Sequence, residues 1–196
     1  MGDGAETDLN QRIAGRVRDL RASRRLTLEA LAERSGVSRS MISLIERGES
    51  SPTAVLLERL AAGLNVPLAS LFDTPGKNSE PVARRAEQAQ WRDPASGYLR
   101  RNVSPNGFPS PIQIVEVEFP RGARVAFDTG ARDARVHQQV WVLEGAIDVT
   151  VGGDRHELQK GDCVAFVLDR PVTFHNRTSK VARYAVIIVS EPGLGR

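Results

Sequence analysis

The sequence predicts two unlike domains, a helical one followed by an all-β one. Apolar residues recur at helical spacing from Leu9 to Phe72, whereas from Tyr98 to Val189 they come in short β-branched runs. Between them lies Thr74-Pro75-Gly76-Lys77-Asn78-Ser79-Glu80-Pro81, turn formers and polar residues with nothing to pack, which is a linker signature. The expected division is residues 9–73, a linker at 74–83, and a second domain at 84–192 whose first stretch, Arg84–Gly107, reads as irregular.

The first domain parses into five short helices. Leu9, Ile13, Val17 and Leu20 form one stripe of the first. Thr27 can cap a second, with Leu28, Leu31 and Ala32 facing inward and Gly36 at its end. Ser38 can cap a third, with Val37 before it and Ile42 at the fourth helical position as a hydrophobic staple. Gly48 suits the left-handed residue that closes that helix. Ser51-Pro52 predicts the start of a fourth, with proline in the first turn, running through Val55, Leu57 and Leu60 to Gly63. Pro67 opens a last short helix to Phe72.

In the second domain the strongest strands are Ile112–Phe119, Val136–Leu143 and Ala182–Val189. Gly152-Gly153 between Ile147–Val151 and His156–Leu158 predicts a two-residue hairpin. Gly161-Asp162 precedes a further strand, Cys163–Val167, and Trp141, Phe166 and Phe174 are expected as core anchors. Many short strands with tight turns indicate a barrel or sandwich.

Composition narrows the function classes. Hydrophobic residues make up 40% of the 196 and charged residues 26%, enough for a core in a soluble chain. No apolar run approaches the ~20 residues needed to cross a bilayer, so no membrane is expected. The polar, acidic Met1–Asn10 does not read as a signal or transit peptide, and the cytoplasm is the expected compartment. The single Cys163 can build neither an internal disulfide nor a Cys-rich zinc site, and Asp162 beside it disfavours a reactive thiolate. Net charge is only +3, but Arg12, Arg16, Arg18, Arg21, Arg24 and Arg25 crowd the first helix against Asp3, Glu6, Asp8 and Asp19. A solvated charged face explains that crowding as well as nucleic acid does.

The sharpest signal is Thr27–Gly48, two helices of about two turns separated by Ser35-Gly36-Val37, the helix-turn-helix layout. At roughly 100° per residue, Met41, Ile42 and Ile45 fall in one arc of the third helix. Arg39, Ser40, Ser43, Leu44 and Arg47 spread over the other. Small hydroxyls let a helix approach the major groove, and arginine can bond guanine O6 and N7 together. Arg39, Ser40 and Ser43 are the candidate base-side contacts, and the cap Ser38 is a further candidate DNA contact; Arg47 suits phosphate or the domain itself. Thr27 and Thr53, near helix starts, suit phosphate contacts that fix position.

With those residues in place, the segment LTLEALAERSGVSRSMISLIERGESSPTAVLLERLAAGLNVPLASLF (Leu26–Phe72) resembles the lambda-repressor-like, Xre-type helix-turn-helix domain along its whole five-helix length. The resemblance implies sequence-specific binding to double-stranded DNA, usually as a homodimer on a palindromic operator.

VHQQVWVLEGAIDVTVGG, HELQKGDCVAF and RPVTFHN, with Val140–Gly145, the Gly161-Asp162 turn, Pro171 and Asn176, resemble the cupin domain, a double-stranded β-helix barrel. Cupins that hold a metal carry three histidines and a carboxylate. Counting from Gly145 and Asn176, those positions fall near Arg132, Ala134, Gln138 and Val172, none an ordinary ligand. No metal or other cofactor is therefore expected. By strand alternation His137 and His175 point out if Gln138 and Val172 point in, and His156 beside the hairpin is solvated. A barrel of that kind can still bind a small molecule, and the expected lining is Arg132, Gln138, Val140, Val142, Phe174 and Asn176. The whole reads as a DNA-binding transcription regulator with a sensor domain, not an enzyme. The alternatives are a cupin metalloenzyme with an accessory DNA-binding domain and a protein-interaction module that touches no DNA.

Overall fold

The computed structural model describes residues 3–72, 80–128 and 135–191, so Arg132, Ala134 and most of the linker lie outside the described residues. The chain divides into two compact units, Met1–Asn78 and Ser79–Arg196.

The first unit is held by an aliphatic core that each helix feeds from one face. Helix α1 (Asp3–Ser23) contributes Leu9, Ile13, Val17 and Leu20, all buried as its stripe requires. Helix α2 (Leu28–Ser35) starts at Thr27, whose Oγ1 accepts from the Ala30 N–H at 3.1 Å, and ends at Gly36 with φ +65°. Helix α3 (Arg39–Glu46) starts at Ser38, whose Oγ accepts from the Met41 N–H at 3.3 Å. It closes with Glu49 N–H donating to Leu44 O at 3.0 Å and Gly48 N–H to Ile45 O at 2.9 Å. That closure needs φ +71° at Gly48, where a side chain would also run into Gln11. Helix α4 (Ala54–Gly63) packs close to α2, since a Cβ on Gly63 would stand 2.8 Å from Ser35 Cβ.

One expectation about this unit needs correction. Helix α4 begins at Ala54 with Thr53 as its cap, so Pro52 lies buried outside the helix rather than in its first turn. Thr53 wins because its hydroxyl accepts from the Leu56 N–H at 3.4 Å, a service proline cannot give. The fifth element, expected as a short helix, is a 3₁₀ helix, Leu68–Phe72, which follows the four α-helices of this unit's described residues. None of these helices is long and apolar enough to cross a membrane.

The second unit is two antiparallel sheets. Its strands are β1 (Gln90–Arg92), β2 (Leu99–Asn102), β3 (Ile112–Phe119), β4 (Arg124–Phe127) and β5 (Arg135–Glu144). They continue with β6 (Ala146–Val151), β7 (Asp154–Gln159), β8 (Cys163–Val167), β9 (Val172–His175) and β10 (Ala182–Glu191). One sheet has the order β1-β2-β3-β10-β5-β8 and the other β4-β9-β6-β7. The stretch expected to be irregular thus holds β1 and β2. Gly152-Gly153 does close the β6–β7 hairpin, with Val151 opposite Asp154.

The sheets meet through aromatic rings. Tyr184 of β10 stacks on Phe174 of β9 at 5.8 Å and 6° between planes, and Phe119 meets Tyr184 edge-on at 6.0 Å. Alternation then fixes the inner face as Val115, Val117, Val140, Val142, Tyr184, Val186 and Ile188, all buried. Trp141, expected as a core anchor, is 48% exposed on the outer face. Its neighbours Val140 and Val142 take the inward positions, and the period of two leaves the indole no choice. Phe174 is buried as expected, and Phe166 is half-buried.

Candidate nucleic-acid interface

The interface is built from α3 outward. Ile42 and Ile45 sink one face of α3 fully into the unit, and Glu46 joins them at 8% exposure. The remaining side presents Arg39, Ser40 and Arg47 to solvent, with Ser43 and Leu44 half-buried between them. Met41 is half-buried too, its sulfur 3.9 Å from Ser50 Oγ. At the N-terminal end of this face Ser38 Oγ and Ser40 Oγ lie 3.2 Å apart.

Both arginines of the face are held by nearby carboxylates. Arg39 Nε stands 2.5 Å from Glu29 Oε1, with side-chain exposures of 66% and 60%. Arg47 donates to Glu49 through Nε at 2.8 Å and Nη2 at 2.7 Å, and Nη1 donates to Ser43 Oγ. The Glu49 hydrogen bonds raise the Arg47 pKa above the usual guanidinium value, and the same bonds lower that of Glu49. Pairs this open to water hold weakly, so a phosphate or a guanine edge can displace the glutamates. Thr27 and Thr53 spend a lone pair on capping, but each hydroxyl keeps its hydrogen to donate.

Sequence reading grouped Arg21 with the surface charges. In the structure its Nε and Nη2 grip Glu46 at 2.7 and 2.8 Å, and Nη1 donates to Leu26 O at 2.9 Å. One guanidinium therefore ties the end of α1 to the last turn of α3 and sets how α3 stands out. Arg16 similarly donates to Ser70 O at 2.9 Å. Local spacing gives no signal for either bond, because the partners are 25 and 54 residues apart.

In the second unit Val140, Val142 and Phe174 lie buried on the inner faces, and Gln138 lies half-buried opposite Ile188. Asn176 is fully buried, and its amide serves the chain itself. Nδ2 donates to Phe119 O at 3.1 Å and Lys180 O at 2.8 Å, while Oδ1 accepts from Thr178. Val172, at a metal-ligand position of the cupin pattern, is buried at 1% and has no donor atom. Among the described residues no three of His, Cys, Asp and Glu gather as a metal would require. His137 lies 3.5 Å from Glu191, His156 is exposed, and His175 is half-buried.

Comparison with known proteins follows the same division. The family model described as Helix-turn-helix matches residues 17–71, and the one described as Cupin domain matches residues 123–189. The chain is similar to the HTH-type transcriptional regulator SutR of Escherichia coli (strain K12), 28% identical over 176 residues, covering 88% of this chain and 91% of that protein. It is also similar to the HTH-type transcriptional regulator PuuR of the same strain, 26% identical over 170 residues, covering 86% and 89%. Among solved structures, an HTH_3 family transcriptional regulator from Vibrio cholerae matches with a TM-score of 0.77 and 28% identity. That match covers 94% of this chain and 98% of the other.

Proposed function

The chain joins a helix-turn-helix domain to a cupin domain, and from that premise we propose that it is a transcription regulator that binds a palindromic operator as a homodimer and senses a small molecule. The observation that carries the DNA-binding half is the exposed polar side of α3 behind its Ser38 cap. In this reading Arg39, Ser40 and Ser43 face the bases, and Ser38, Arg47, Thr27 and Thr53 hold the backbone. A two-fold dimer sets two such helices about 34 Å apart, one turn of duplex. The 3₁₀ helix Leu68–Phe72 stands as the fifth helix of the lambda-repressor-like plan, and the two sheets as the walls of the cupin double-stranded β-helix. A regulator of this kind works in the cytoplasm.

Catalysis is not part of the proposal. A valine at one metal position and a glutamine at another do not fit a cupin metal centre, and Arg132 and Ala134 occupy the remaining two in sequence. The cupin domain instead supplies dimerisation and a site for an effector between the sheets, near Gln138, Val140, Val142 and Phe174. Arg132 is the sequence's further candidate for that site. Effector control requires different affinity for two states of the dimer.

The test is binding to genomic fragments at two salt concentrations, with Arg39→Ala beside the wild type. Specific binding should weaken steeply with salt as phosphate contacts release counterions. Arg39→Ala should cost about 1–3 kcal/mol on the selected operator and far less on unrelated DNA. An equal loss on every sequence would make Arg39 a phosphate contact, and absence of any specific fragment would overturn the regulator reading.

Glu29→Gln should act in the opposite direction. It releases Arg39 from its ion pair and removes a negative charge from the face that meets phosphate. Operator affinity should rise about two- to fivefold at low salt, within the ~1 kcal/mol of an exposed pair, and the gain should shrink as salt is added. Titration of the labelled operator reads both effects.

A further inference from the structure

Three helices of the first unit close with one and the same pattern of bonds. Three residues beyond the helix end an N–H donates back to a carbonyl five residues earlier. Leu26 donates to Arg21 O at 3.2 Å after α1, Glu49 to Leu44 O at 3.0 Å after α3, and Val66 to Ala61 O at 3.0 Å after α4. Such a closure needs a left-handed residue just before the donor. After α3 that residue is Gly48, φ +71°, and after α4 it is Asn65, φ +52°, two types that take the conformation readily. After α1 it is Arg25, φ +54°. There an arginine Cβ crowds the carbonyl oxygen that follows, and glycine would not. The sequence keeps a long charged side chain where it lowers stability.

Arg25 is exposed, and among the described residues its guanidinium has no hydrogen bond or ion pair. Its neighbour Arg24 is engaged, with Nη1 donating to Leu20 O at 3.2 Å. The free charge stands on a turn that is tied to both ends of α3. Leu26 O accepts from Arg21 Nη1, and the other nitrogens of Arg21 hold Glu46 in the last turn of α3. Just past Thr27, Glu29 reaches Arg39 in the first turn of α3. The turn therefore runs beside the recognition face and holds Arg25 at its edge. With α3 in a major groove, the helix before it crosses a phosphate strand, and this turn leads into that helix.

Resting on the DNA-binding reading of α3, we propose that Arg25 grips a backbone phosphate of the operator beside the groove that α3 enters. A guanidinium offers phosphate two parallel N–H donors. The contact reads no base, so it adds the same increment on any duplex and fixes the position of the unit. Unlike Arg39, Arg25 has no carboxylate to give up first. That contact is what an arginine gains in a position made for glycine.

The experiment titrates a genomic fragment selected by the wild type, and an unrelated duplex of equal length, over a salt series. The full chain is used as wild type, Arg25→Gly and Arg25→Lys, and thermal unfolding of each is followed by helical circular dichroism. Arg25→Gly should unfold about 2–5 °C higher, because glycine takes the left-handed position without crowding. It should bind both duplexes about tenfold more weakly, and the slope of log K against log salt should become shallower by about 0.9 for each copy on the DNA. Arg25→Lys, which keeps the charge and the Cβ, should keep the wild-type midpoint, the slope and most of the affinity. A stabilised Arg25→Gly with wild-type affinity and slope would overturn the proposal. So would a loss confined to the selected fragment, which marks a base contact, or a lower midpoint for Arg25→Gly, which marks a side chain that serves the fold. If the wild type selects no fragment, the DNA-binding reading fails and this contact with it, an outcome distinct from the other three.

Discussion

Trp141→Glu should leave a folded protein that sediments as a monomer and loses operator affinity about 100-fold or more. The outer face of the six-stranded sheet carries apolar residues side by side on neighbouring strands. Ile114 and Ile187 sit side by side in one row before Gln139 interrupts it, and Ala185, Trp141 and Cys163 fill the next beyond Glu116. Ile112 is 47% exposed, Ile114 38% and Trp141 48%, a cluster of large hydrophobic residues of the kind that marks an interface. One end of it is bounded by charge, where Arg183 meets Glu116 at 3.0 Å and Glu144 at 3.2 Å. A second copy of this chain, set against the same face by a two-fold axis, would cover it.

The size of the effect follows from bivalency. Two helix-turn-helix units on one dimer turn the second half-site contact into an intramolecular event, which multiplies affinity by about 10²–10⁴ without any new contact. A carboxylate at position 141 is harmless in a monomer, where that side chain is already in water. It is costly under a partner, where it would be desolvated and unpaired. The midpoint of unfolding at low protein concentration should therefore barely move, while sedimentation and operator titration both change. A variant that stays dimeric at full affinity would remove this face from the proposed interface.

The sequence was most legible where one short-range rule decides the outcome. Ser38 and Thr27 could be read as caps because the hydroxyl of a helix's preceding residue has a fixed task three residues on. The two faces of α3 followed from 100° per residue, and the buried Ile42 and Ile45 sit where that arithmetic put them. Strand β3 was bounded correctly at Ile112 and Phe119 because β-branched residues and turn formers switch sharply there.

Legibility failed where two local rules competed or where the deciding partner was distant. Ser51-Pro52 satisfies the pattern of a cap followed by a first-turn proline, yet Thr53 offers the same cap two residues on and takes it. Trp141 reads as a core anchor, although the alternation that puts Val140 and Val142 inside turns it outward. Strands β1 and β2 were invisible because Arg100 and Asn102 occupy inward positions, so the hydrophobic alternation that announces a strand is missing there. Arg132, at the lining in the sequence reading, lies outside the described residues.

Glu46→Ala should lower the stability of the first unit by about 3 kcal/mol, because it removes one partner of a mostly buried pair. Glu46 is 8% exposed, and the side chain of Arg21 19%. The partial exposure of the guanidinium argues for the low end of the buried-pair range, since water can reach part of what the carboxylate leaves behind. What remains to Arg21 is Leu26 O, so a cation stays near the core with one acceptor in place of three. Removing both partners should cost less than the sum of the single losses, and Arg21→Ala with Glu46→Ala completes the cycle that measures their coupling. Both tryptophans, Trp91 and Trp141, lie in the second unit, so their fluorescence is blind to this change and the helical circular dichroism should follow it. DNA binding gives a second readout: at temperatures where the variant remains folded, operator affinity should still fall, because the pair sets the stance of α3. A variant that is destabilised yet binds fully when folded would confine Glu46 to stability and leave the orientation of α3 to Ile42 and Ile45 alone.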